Sequence, residues 1–141
     1  MARSITRSRD AVAGQGRDGP PAGWALLIPA RTELPCELVP VPLTAAGISD
    51  SIGGGLLEEV VCGPDPDGAH TVYQDAAREM KALPDNPRAA RLAARLGWPY
   101  LTGPTPLRGD ALVLGLDEHG ADADVPDVVL AAAVREGLLR G

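Results

Sequence analysis

Arg88, Arg91 and Arg95 recur at i, i+3 and i+7. On a helix turning about 100° per residue, that spacing draws three guanidinium groups into one stripe. A guanidinium fork matches a carboxylate or phosphate through two parallel hydrogen bonds. Asn86-Pro87 stands just upstream and reads as a helix start: a capping side chain, then a residue whose missing N–H costs nothing there. The free N–H groups and positive dipole end of that first turn would face the same anion as Arg88. Lys81 and Arg78 lie close by in the chain. The candidate ligand-binding set is therefore Lys81, Asn86, Arg88, Arg91 and Arg95, with a nucleotide, a phosphorylated metabolite or an acidic protein surface as the anion. The plainer reading is a solvated helix face whose arginines pair with surface carboxylates.

Other groups point less clearly to chemistry. His70 and His119 are the two imidazoles, neither beside a serine or cysteine nucleophile, and no Gly-x-Ser-x-Gly occurs. Glu58 and Glu59 are adjacent in a strand-like run, so they point to opposite faces and cannot share a substrate. Asp117, Glu118, His119, Asp122 and Asp124 crowd together, but their spacing does not suit a calcium loop, and an acidic solvated turn is expected. Gly53-Gly54-Gly55 sits between a helix and a strand, the reverse of a phosphate-cradling loop, and reads as a helix stop. Cys36 and Cys62 lack metal-ligand spacing and read as buried apolar residues. No catalytic residue, metal or cofactor is expected. An enzyme assembling its groups from distant positions stays an alternative.

A chain of 141 residues holds one core, and it is large enough to fold without disulfide or metal staples. Aromatics make up 3% and Phe is absent, so that core is aliphatic and offers few platforms for stacking bases. The net charge of −6 is unevenly spread. Residues 1–21 carry four arginines against two aspartates, or +2, which leaves nine basic against seventeen acidic groups, or −8, on residues 22–141. An acidic body repels the nucleic-acid backbone, so nucleic acid is an unsuitable partner for the folded part. No secretory signal and no membrane-length apolar run is visible, and a cytoplasmic location is expected.

Residues 1–21 are polar, aperiodic and end in Gly19-Pro20-Pro21, the pattern of a disordered basic leader. The remainder, 22–141, reads as a single α+β domain of about five short, mostly antiparallel strands and three helices. Strands are expected from Trp24 to Ile28, Glu37 to Val41, Leu57 to Cys62, His70 to Tyr73 and Ala111 to Leu116. Pro40 and Pro42 remove ladder donors and place the second strand at an edge. The third and fourth form a hairpin around the turn at 63–68, and the fifth, continuously apolar, is central. Helices are expected from a Thr44 cap to about Ile52, from Asn86 to about Gly97, and from Asp124 or Val125, with Pro126 in the first turn, to about Leu139. Residues 98–106 look irregular. The last helix carries Val128, Val129, Ala132 and Leu139 on one side and Leu130, Val134 and Leu138 on the other. A helix apolar on two sides is sandwiched or meets another chain, which points to a homo-oligomer.

Several of these segments also occur in a recognisable order. They are the opening strand closed by Pro29, Gly54 to Glu58, Tyr73-Gln74-Asp75 leading to Lys81, Leu83 to Ala89, Gly109 to Gly115, and Asp124-Val125-Pro126. Together they resemble an uncharacterised small-domain family typically encoded by phages, plasmids and other mobile elements. The segment 96–106 and the basic leader depart from its shorter members. The resemblance implies a mobile-element accessory protein aimed at host regulation or defence, and it implies no catalytic residue, cofactor or partner.

The sequence thus favours a non-catalytic binding module for an anionic ligand or acidic surface. Its main rival is a protein-interaction module in which the acidic body meets a basic host partner in a regulatory or counter-defence role.

Overall fold

The computed structural model describes residues 21–63, 68–98 and 107–140. The expected leader up to residue 20, most of the 63–68 turn and most of the irregular 98–106 segment lie outside them. Strand β1 (Ala22–Ile28) is followed by β2 (Glu37–Pro42), helix α1 (Ala45–Ser51), β3 (Leu57–Cys62) and β4 (His70–Asp75). Helix α2 (Pro87–Leu96), β5 (Ala111–Leu116), β6 (Asp122–Ala123) and helix α3 (Asp127–Arg135) complete the order. The sheet runs β2-β1-β5-β4-β3, with β6 also on β5. Every pair is antiparallel. This is an α+β domain with one sheet between two helical layers.

Side-chain alternation sorts the core between those layers. Leu26 and Ile28 of β1, Val72 of β4 and Ala111 and Val113 of β5 face α2 and α3, meeting Ala89, Leu92, Ala93, Val129 and Ala133. Ala25, Tyr73, Leu112 and Leu114 face the other way and meet Ile48 and Ile52 at α1. β5 is covered on both faces, which is why it reads as an unbroken apolar run.

Local chemistry sets the helix ends. Thr44 Oγ1 accepts from the Gly47 N–H at 3.0 Å, and α1 stops at Gly53, Gly54 and Gly55, with φ of 98°, 86° and 100°. Gly47, a weak helix former, is needed because a Cβ there would lie 2.7 Å from Pro42 of β2. α2 starts at the Asn86 cap and ends at Gly97. α3 is shorter than its sequence suggests: Pro126 is the N-cap, outside the first turn, and the helix closes at Arg135. Leu130 and Leu138, from its second apolar stripe, are buried within the chain, while Val128 stays exposed. Among the described residues no helix is long and apolar enough to cross a membrane.

The expected solvated turn before α3 is more ordered than its composition suggests. Asp117 Oδ1 accepts from the His119 and Ala121 N–H groups at 2.8 and 2.9 Å, folding the turn back so that β6 pairs with β5. Asp124 Oδ1 then accepts the Trp24 N–H at 2.8 Å, fastening the return to β1. Gly115 lets this segment approach, since a Cβ there would fall 2.2 Å from the Asp124 carbonyl oxygen. Gly115→Ala should therefore push β6 off the sheet and cost about 1–3 kcal/mol, read by chemical denaturation.

Candidate functional site

The segments singled out above converge at one end of the sheet, where β1 stops, β5 begins and α2 starts. Asn86 sits at the centre, 1% exposed. Its Nδ2 donates to the Ile28 carbonyl at 2.8 Å and to the Gly109 carbonyl at 2.9 Å, while Oδ1 accepts the Ala89 N–H at 3.0 Å. Its cap bond and both amide protons are therefore committed inside the protein. One guanidinium nitrogen of Arg88 donates to the carbonyls of Pro29 and Arg31 at 2.8 and 2.9 Å. Arg95 grips Glu136 of the segment after α3 through Nε and Nη2, each at 2.9 Å. Lys81 pairs with Asp75 at 2.6 Å, at the end of β4 and apart from the α2 stripe. Arg91 is exposed and makes no side-chain hydrogen bond or ion pair among the described residues. Of the five residues, four are thus engaged within the fold.

The same end holds a polar network. Arg78, 2% exposed, pairs with Glu58 at 2.9 Å and donates to the Asp75 carbonyl at 3.3 Å. Burial alone would raise the Asp75 carboxyl, but hydrogen bonds from Lys81 and the Ala77 N–H, with the charges of Lys81 and Arg78, outweigh it and hold it below its ordinary range. Gln74 Nε2 reaches the Arg108 carbonyl at 3.4 Å.

A different place has room for a ligand. On the α1 face, beyond that short helix, a cavity of about 450 Å³ opens between Pro21, Leu43, Glu59, Tyr73, Asp117 and Asp122. A second, of about 340 Å³, shares Leu43, Glu59, Tyr73 and Asp122 and continues towards Thr44, Ile48 and Leu57. Tyr73 donates its phenol proton to Asp122 Oδ1 at 2.6 Å. Burial, then the Asp122 and Glu59 carboxylates, push that phenol well above its ordinary range, so it stays a neutral donor. The cleft is walled by three carboxylates, and among the described residues its lining includes no Lys or Arg. Such a site suits an organic cation; among the described residues no group of three or more His, Cys, Asp and Glu could hold a metal ion. Sequence reading missed it because Tyr73 and Asp122 are 49 residues apart. The one available signal was Tyr73, one of two tyrosines in a chain poor in aromatics.

The two cysteines are buried and free. Burial pushes the Cys62 thiol up to about 11 and raises that of Cys36, so neither is a ready nucleophile. His70 is 2% exposed, its Nδ1 2.6 Å from the Gly68 carbonyl and its Nε2 accepting the Trp98 indole N–H at 2.9 Å. These partners fix one neutral tautomer, and burial lowers its pKa from the ordinary 6.5.

That shift has a sign. Below 6.5 the unfolded chain takes up a proton at His70 that the folded chain resists, so its stabilising effect is whole above 6.5 and is lost as pH falls through the lowered folded value. Asp75, also lowered, loses its share only in more acidic solution, below its ordinary 3.8. Melting temperature should fall as pH drops from 7 towards 5. A His70→Gln variant, less stable at pH 7, should show a shallower slope over that window by differential scanning calorimetry.

No family model matches the chain, and no curated protein matches it. Among solved structures, the crystal structure of small RNA methyltransferase HEN1 is similar, with a TM-score of 0.55 at 14% identity over 87% of this chain. The match covers 17% of that protein's chain, so this chain spans a minor part of its length. At that identity the likeness is one of fold alone.

Proposed function

We propose that this chain is a non-catalytic binding module whose recognition surface is the acidic cleft on the α1 face, and that its ligand is a basic segment of a partner protein. The observation that carries this reading is the lining. Two joined cavities share Glu59, Tyr73 and Asp122, and among the described residues their lining holds no Lys or Arg. A Lys or Arg entering there meets carboxylates already oriented by the Tyr73 phenol and by β-pairing. The body's charge of −8 over residues 22–141 steers a cationic partner towards it. An anion at the start of α2 would depend largely on Arg91, because Asn86, Arg88, Arg95 and Lys81 already hold protein partners.

A fluorescent decapeptide alternating Arg and Thr should bind at low salt and weaken as ionic strength rises, while its Glu/Thr counterpart should not bind. Glu59→Gln and Asp122→Asn should each weaken binding about tenfold, the scale of one charge-assisted hydrogen bond. Arg91→Ala should leave it unchanged. Fluorescence anisotropy reads all three, and equal affinity for the two peptides would end this reading.

A further inference from the structure

The two edges of the sheet are unlike. On the β2 side the Leu43 N–H donates to the Pro21 carbonyl at 2.8 Å, and antiparallel alternation carries that pattern to 41, 39 and 37. Residues 38, 40 and 42 therefore turn their backbone groups outward, and Pro40 and Pro42 have no N–H to offer there. On the β3 side the Ala76 N–H donates to the Leu56 carbonyl at 2.8 Å. The same alternation sends the backbone groups of Glu58, Val60 and Cys62 towards β4, and those of Leu57, Glu59 and Val61 outward. All three outward residues keep both donor and acceptor. Among the described residues β3 pairs only with β4, and Leu56 and Val61 are 78% and 62% exposed beside that edge.

We infer that the β3 edge receives the basic segment as an added β-strand. This rests on the cleft proposed above, since Glu59 is both the middle outward-facing residue of the edge and part of the cleft wall. Directly opposed residues of an antiparallel pair share a face. A strand laid antiparallel on β3 thus turns its residues opposite Leu57, Glu59 and Val61 to the α1 side. A basic residue among them meets Glu59 and points towards Asp122, while its aliphatic stem covers Val61. On the other face Glu58 already has Arg78 at 2.9 Å, so the charge that selects a basic strand lies on the α1 side. Main-chain bonds supply affinity and alternate side chains supply selectivity, as in other strand-addition complexes. A second copy fits this edge less well, because it brings the same acidic residues against Glu58 and Glu59.

The test uses the whole protein and three forms of the Arg/Thr decapeptide: unmodified, N-methylated at every Arg amide, and N-methylated at every Thr amide. Strand addition needs the N–H groups of one alternate set and leaves the other set facing solvent. Methylating one set should weaken binding by roughly tenfold or more, while methylating the other changes it by less than about threefold. Val61→Pro, which deletes an outward N–H together with the valine side chain beside it, should weaken the unmodified peptide at least as much. If both methylated forms bind like the parent, the cleft stands and the added strand is overturned. If the parent peptide does not bind, both fall. A dimer of the chain alone, split by Val61→Pro in light scattering, would assign the edge to a second copy and overturn the basic strand.

Discussion

Two carbonyls at the ends of neighbouring strands, Ile28 on β1 and Gly109 just before β5, both accept from the side-chain amide of one buried residue. An unsatisfied buried polar group costs a few kcal/mol. The Asn86 amide answers both, and its oxygen holds the first turn of α2. That residue therefore fixes where α2 starts, how it is rotated and which strands it spans. With the rotation fixed, Leu92 and Ala93 enter the core, Arg88 falls over the chain leaving β1, and Arg95 reaches Glu136. Arg88 and Arg95 serve as bracing for the same reason that they belong to a stripe. Its spacing aligns it along α2, and Asn86 sets that alignment beside carbonyls and a carboxylate of the chain.

Charge is distributed along the sheet. Arg78, Lys81, Arg88 and Arg108 gather where β1 ends and β5 begins, each with an acceptor at hand. The opposite end holds Asp117, Asp122 and Asp124, whose oxygens bind backbone N–H groups or a phenol. Asp122 is held by a neutral phenol, so that bond brings no positive charge to the acidic end.

Features decided by near neighbours were legible in the sequence. The Thr44 and Asn86 caps, the glycine stop after α1, the proline-marked edge of β2 and the central β5 are all local patterns that the fold repeats. Features decided by distant partners were not. β6 is two residues long and exists because Gly115 admits the Asp124 carbonyl, a contact that no window of sequence contains. Pro126 ends as a cap and not a first-turn residue because β6 occupies the chain just before it. The cleft escaped for the same reason, its walls coming from β3, β4, the loop after β2 and the turn before β6. Arg88 and Arg95 were visible, but the carbonyls and carboxylate that engage them were not.

The paired prolines of β2 have a consequence for growth. A sheet that can extend at both edges adds copies without limit, which is the geometry of a fibre. Here one side lacks donors at two of its three outward positions, so any strand taken up must arrive at the other. Such a sheet has a single valence. Once that valence is filled by one segment, the exposed edge is spent and assembly terminates, so an unguarded strand can persist in a crowded solution without seeding a polymer.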